Sequence, residues 1–161
     1  MKRISLFLLT AIVLFSLAGC GSTDIDLQEE NFSFTYNGVK IMLGVEATPI
    51  IEALGEPRSY TEEPSCAFDG MDKTYYYGSF YISTYPLDGK DYIYNLWFAD
   101  DGVATDEGVR IGSTQSQVED AYGKECFNGT NSFVLTKGQS RLVILIEDGK
   151  VGSIRYEVIL E

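Results

Sequence analysis

Gly44-Val-Glu-Ala-Thr-Pro-Ile-Ile-Glu-Ala-Leu-Gly55 and Gly112-Ser-Thr-Gln-Ser-Gln-Val-Glu-Asp-Ala-Tyr-Gly123 superpose without a gap. Ile50 falls on Val118, Glu52 on Asp120, Ala53 on Ala121 and Leu54 on Tyr122. Each stretch reads as a short helix ended by glycine. Pro49 takes an early helical position, Thr114 or Ser113 offers an N-cap to the second copy, and Gly55 and Gly123 suit the left-handed position past a helix end. The spacing of Ile50, Ala53 and Leu54, and of Val118, Ala121 and Tyr122, turns one face of each helix to a core. Self-similarity of this kind marks an internal repeat.

A second landmark agrees. Asp88-Gly89-Lys90 precedes Tyr92, Tyr94, Leu96 and Phe98 at alternate positions, and Asp148-Gly149-Lys150 precedes Gly152, Ile154, Tyr156 and Val158 in the same phase. Asp-Gly between strand-like runs signals a hairpin, because a type I′ turn needs positive φ at both central residues. Strands are expected over residues 73–78, 79–85 and 91–99 in the first half and over 132–137, 141–147 and 151–160 in the second. Edge-like strands over 32–36 and 39–43 would begin the domain. Glu56 to Asp72 reads as extra residues carried by the first repeat. The expected fold class is α+β: two tandem helix-plus-antiparallel-meander repeats, residues 32–104 and 105–161 of one globular unit, with the helices packed on one face of antiparallel sheet.

The N-terminus gives an address. Lys2 and Arg3 precede an apolar run from Ile4 to Leu17, and Leu17-Ala18-Gly19-Cys20 closes it as a lipoprotein cleavage box. The run is short for a permanent span, which takes about 20 apolar residues. Residues 1–19 are read as a lipoprotein signal peptide, Cys20 as the lipidation site and residues 20–31 as an acidic tether. The alternatives are an ordinary secretory signal and, for Asp24, Asp26, Glu29 and Glu30, a cation site. The expected localisation is extracytoplasmic, lipid-anchored to the bacterial cell membrane. The whole chain carries −12. Removing the signal deletes two cations and no acid, leaving ten cations against 24 acids, or −14. Such a surface repels nucleic acid and anionic lipid, so the acyl anchor is the expected membrane contact.

The glycine-bounded helix Ile111 to Gly123, repeated in tandem with a meander after each copy, resembles the secreted β-lactamase inhibitory proteins. It also resembles the related small lipoprotein of the outer-membrane barrel-assembly machine. Ser65-Cys66-Ala67-Phe68-Asp69-Gly70, Asp72-Lys73-Thr74-Tyr75 and Gly89-Lys90-Asp91-Tyr92-Ile93 resemble a group of uncharacterised lipoproteins from Gram-positive anaerobes, over most of residues 40–156. The last resemblance brings no activity. The first two imply protein binding by a sheet face and transfer no contact residues.

No histidine occurs, which eliminates His-based triads, imidazole acid–base catalysis and His metal sites. Cys66 and Cys126 remain once Cys20 is lipidated. They either form a disulfide, whose loop of about 60 residues destabilises the unfolded chain by roughly 4 kcal/mol in the entropy model, or stay unpaired. Asp100, Asp101, Asp106 and Glu107 are weak calcium candidates, Asp69 and Asp72 a further acidic pair, and none has EF-hand spacing; the alternative is a solvated connector. No metal or other cofactor is expected. Ten aromatic residues fall on three adjacent strands, so both faces cannot belong to one core. With Phe80, Ile82, Tyr92, Tyr94, Leu96 and Phe98 inward, Tyr81, Tyr85 and Trp97 face outward as a candidate binding face; the alternative is cross-strand packing. The functional expectation is a lipid-anchored extracytoplasmic interaction module, not an enzyme, that meets a protein or wall-glycan ligand through a sheet face. The alternatives are a carboxylate-dependent hydrolase of envelope glycans and a structural subunit of an envelope assembly.

Overall fold

Two Asp-Gly turns set the two hairpins on which the architecture is built. Asp88 and Gly89 have φ of 51° and 76°, Asp148 and Gly149 have 50° and 76°, the positive pair a type I′ turn requires. The structure, a computed structural model, describes residues 31–160. The expected signal peptide, Cys20 and all of the tether except Asn31 lie outside the described residues. In chain order the elements are β1 (Ser33–Tyr36), β2 (Val39–Met42), α1 (Thr48–Leu54), β3 (Ser59–Pro64), β4 (Met71–Tyr76), β5 (Phe80–Leu87), β6 (Lys90–Phe98), α2 (Gln115–Tyr122), a 3₁₀ turn (Lys124–Cys126), β7 (Ser132–Lys137), β8 (Ser140–Glu147) and β9 (Lys150–Val158). None of these helices is long and apolar enough to cross a membrane.

Seven strands form one antiparallel sheet in the order β3-β4-β5-β6-β9-β8-β7. The two halves join at β6 and β9, where Asn95, Leu96 and Trp97 stand opposite Glu157, Tyr156 and Arg155. Phe80, Ile82, Leu96, Leu142, Ile144, Ile154 and Tyr156 turn to one face and are buried. The other, outer face carries their alternates.

This overturns the expected α+β class with two helix-plus-meander repeats. Strand accounts for 48% and helix for 14% of the structure. The first half supplies four strands to the sheet and the second three. The unexpected member is β3, in which every residue is exposed, so its sequence shows no apolar alternation to read. The helices do not make a layer, for a physical reason. Runs of seven and eight residues are too short to bury a wide stripe. In α1 no side chain is buried. In α2, held by the reciprocal capping box of Thr114 and Gln117, Val118 alone is.

The separate β1–β2 hairpin covers the centre of the sheet instead. Phe34, Ile41 and Leu43 are buried. The Phe34 ring lies 5.3 Å from Phe80 and 5.0 Å from Phe98, and Tyr36 lies 4.8 Å from Phe80. Contacts at these separations add to area burial. Asn31 fastens the start of the hairpin: its side chain donates to the Leu43 carbonyl at 3.0 Å and accepts from the Gln139 amide at 2.8 Å. The first described residue is thereby tied to the β7–β8 turn.

Candidate functional site

On β5, alternation sends Tyr81, Ser83 and Tyr85 to the outer face, opposite buried Phe80, Ile82 and Thr84. On β6 the alternation breaks. Ser83 stands opposite Asn95 and Thr84 opposite Ile93, so Tyr94 is an inserted bulge residue. An extra residue reverses the facing of everything beyond it. Leu96 and Phe98 point inward, whereas Tyr92, opposite Tyr85, lies on the outer face, and Tyr94 packs there too, 6.2 Å from Tyr85. The inward placement of Tyr92 and Tyr94 expected from simple alternation is therefore corrected.

The outer aromatic residues fall into two groups. Tyr76, Tyr81 and Trp97 occupy one rung of β4, β5 and β6 and stack in sequence, at 4.4 Å and 24° between the tyrosines and 4.7 Å and 11° between Tyr81 and Trp97. Tyr81 is thus covered on both ring faces and acts as a spacer. Tyr85 gathers Tyr92, Tyr94 and Phe68, the last at 4.9 Å. Phe68 comes from the β3–β4 loop, which is folded back by the Ser65 amide donating to the Gly70 carbonyl at 3.0 Å and the Phe68 amide to Ser65 Oγ at 3.3 Å. Gly70 has φ of +133° and a Cβ there would meet Pro86 at 2.9 Å, so only glycine lets the loop lie this close. Burial, with Tyr92 adding to it, holds the Tyr85 phenol above its ordinary range.

Between the two groups runs a groove of about 380 Å³. Thr74, Ser83 and Asn95 lie on successive strands along it, with Thr74 and Ser83 hydroxyls hydrogen-bonded at 3.0 Å. Tyr85, Tyr94 and Phe68 close one end, and Trp97 and Leu160 line it as well. Glu63 and Asp72, cross-strand partners on β3 and β4, stand on one wall. No lysine or arginine among the described residues lines it. Neither acid has a salt bridge among the described residues. Asp72 Oδ1 and Asn95 Oδ1 are shielded from water with no hydrogen-bond partner among the described residues. Leaving such an atom unmet costs about 1–3 kcal/mol.

Beyond Asn95 the outer face changes character. Glu157, its partner on β9, is 5% exposed and is held by Arg155 Nε at 2.8 Å and by Arg141. That carboxylate is compensated within the fold, in contrast to Asp72 and Glu63.

The other residues singled out from sequence disperse. Cys66 is free and exposed in the β3–β4 loop, and Cys126 is free and half-buried beside β7. Five strands, spaced by about 4.8 Å each, stand between β3 and β7, against a Cα span of about 4.4–6.8 Å for a disulfide. Of the two readings left open for the cysteines, the structure has the unpaired one: they follow equivalent helices but reach opposite edges. Asp100 accepts from the Gly102 amide at 2.8 Å, which, with Ser79, holds its carboxyl below the usual range. Asp106 accepts from the Thr35 amide at 3.1 Å and Glu107 from the Tyr122 hydroxyl at 2.6 Å, while Asp101 is exposed. These acids cap separate pieces of backbone and side chain, and among the described residues no group of three or more acids, cysteines or histidines is placed to hold a metal.

Of the expected binding face, Tyr85 and Trp97 line the groove and Tyr81 does not. Sequence reasoning missed Phe68, Glu63, Thr74, Ser83, Tyr94 and Asn95 as members. The legible signal was Asp72, Thr74 and Tyr76 at alternate positions, which share a face on any strand. No protein-family model matches this chain, and neither the curated proteins nor the solved structures yield a match.

Proposed function

We propose that the protein is a lipid-anchored extracytoplasmic interaction module that recognises a protein partner through the outer face of its sheet, centred on the groove. The observation that carries this reading is the grouping of Tyr85, Tyr94 and Trp97 around side-chain oxygens that the fold leaves unmet, on the face opposite the core. Aromatic residues with a polar handle are the residues that dominate interfaces, and a buried polar atom without a partner calls for an explanation, which a donor on a bound partner would supply. The Lys2-Arg3 start, the apolar run and the Cys20 box support the anchor, and the −14 charge of the remainder supports a partner other than nucleic acid.

Hydrolysis of a glycan is the weaker reading. A glycosidase works with two carboxyl groups flanking the scissile bond. Glu63 and Asp72 stand side by side on one wall, and the opposite wall carries Tyr94, Asn95 and Trp97.

Photo-cross-linking in intact cells tests the binding reading. A photoreactive side chain at Tyr85 should give a discrete protein adduct that one at exposed Glu52 on α1 does not. Equal labelling from both positions would indicate a subunit embedded in an assembly, and no adduct from Tyr85 would remove the outer face as the recognition surface.

A further inference from the structure

Resting on the outer-face reading above, we infer that the groove receives a basic side chain, Lys or Arg, presented by the protein partner. The first reason is charge. Two carboxylates, Glu63 and Asp72, share one wall with no cation among the described residues lining the groove, in a chain of net −12. Some acids elsewhere do have a cation partner, Glu157 with two arginines, Asp91 with Lys73 at 2.6 Å and Glu46 with Lys90 at 2.7 Å, whereas Glu63 and Asp72 are side by side with none. An uncompensated pair in a partly enclosed groove attracts a cation and repels an anion.

The second reason is hydrogen-bond sense. Three residues lining the groove carry an unmet oxygen: Asp72 Oδ1 and Asn95 Oδ1 only accept, and Thr84 Oγ1 can accept or donate, so a ligand that donates suits all three. Lys and Arg supply only donors. The Asp72 and Asn95 oxygens sit on terminal sp³–sp² torsions, whose broad preferences let a shielded oxygen turn to meet a ligand. The third reason is the aromatic lining. The rings of Tyr85, Tyr94 and Trp97 suit the aliphatic stem and attract the cationic head through their π faces. A neutral sugar would use the rings and one acceptor but leave both charges uncompensated. A strand-adding peptide is excluded by place, since the groove lies on a sheet face and its floor strands β4, β5 and β6 have both edges paired.

Trp97 is the sole tryptophan, so its emission reports on the groove alone. The full chain in mild non-ionic detergent is titrated with the capped tripeptides Gly-Lys-Gly and Gly-Arg-Gly, with Gly-norleucine-Gly as the neutral control. The basic peptides should change Trp97 emission saturably, less so at high salt, and the control should not. Asp72→Asn should weaken the response about tenfold or more, the effect of losing one charge pair. Glu63→Gln, at an exposed position on the same wall, should weaken it severalfold, which keeps the test decisive if Asp72→Asn perturbs folding by circular dichroism. A response to the control as strong as to the basic peptides, or no loss in either folded variant, would overturn the inference. A saturable response to a neutral oligosaccharide alone, with the Tyr85 cross-link retained, overturns the basic ligand and leaves the outer-face reading standing; absence of that cross-link removes both.

Discussion

Tyr81 and Trp97 stand directly opposite each other on β5 and β6 with ring centroids 4.7 Å apart and planes within 11°. Parallel stacking of a cross-strand pair binds the two strands together on the outer face, where no buried aliphatic residue does so. Such a pair contributes about 0.5–1.5 kcal/mol beyond its area. A double-mutant cycle with Tyr81→Ala and Trp97→Ala, read by urea unfolding, should give a coupling energy in that range. Because Tyr81 does not line the groove, Tyr81→Phe should leave partner recovery unchanged, whereas Trp97→Ala should lower it.

Phe34 on the hairpin, not the face of α1, closes the core. Phe34 is 1% exposed and touches Phe80, Tyr36 and Phe98, whereas Ile50 on α1 is only partly buried. Phe34→Ala should therefore destabilise by about 3–5 kcal/mol, the usual loss for a buried aromatic. Ile50→Ala should lose about 1–2 kcal/mol, since part of its surface stays in water in the folded state. Denaturant midpoints of the two variants give the comparison, and a larger loss at Ile50 would restore a helix-covered core.

The turns were legible because their chemistry is local. Asp88-Gly89 and Asp148-Gly149 declare positive φ, and Thr114, one of the two N-cap residues the sequence offers, caps α2. Leu142, Ile144 and Ile146 on β8 alternate cleanly and are buried as their period requires. Three features were not legible. The bulge at Tyr94 leaves no mark in residue types, yet it decides the facing of Tyr92. The edge strand Ser59–Pro64 has both faces exposed and so no period. Whether helices or the hairpin cover the sheet depends on contacts of Phe34 with Phe80 and Phe98, distant in sequence. The groove inherits all three, since β3 supplies Glu63, the bulge supplies Tyr94 and the covered face determines which side remains for it.

Alkaline pH should unfold the chain cooperatively. Burial raises the Tyr156 and Tyr122 phenols far above the ordinary value of 10.0, and Tyr122 also donates to Glu107. Tyr77 is pushed up to about 12 by burial. For an acid whose folded pKa is raised, stabilisation is complete below the unfolded pKa and is lost as pH climbs from there toward the folded one. Each phenol kept neutral then forfeits about 1.4 kcal/mol per pH unit above 10. Tyrosinate absorbance and circular dichroism should therefore change together in one steep step above pH 10, after a shallow titration of exposed tyrosines. Tyr156→Phe should move that step to higher pH relative to its own stability at pH 7, and a step unmoved by it would place the sensitive phenols elsewhere.

Thiol chemistry should separate the three cysteines. Cys66 lies exposed at the β3 edge, so it should react with a thiol reagent immediately in the native state. Cys126 is half-buried and its Sγ donates to the Tyr122 carbonyl at 3.2 Å, so it should react slowly and at the rate of local opening. Denaturation without reductant should expose both at once, and reductant should leave the thermal midpoint unchanged, because no loop of 60 residues is closed. Under the proposed lipid anchor the Cys20 sulfur is blocked and should stay silent, so chain isolated from membranes should titrate two thiols of its three cysteines. Three reactive thiols would remove the lipid anchor, and none before reduction would mean that Cys66 and Cys126 meet after all, across a sheet that keeps them at opposite edges.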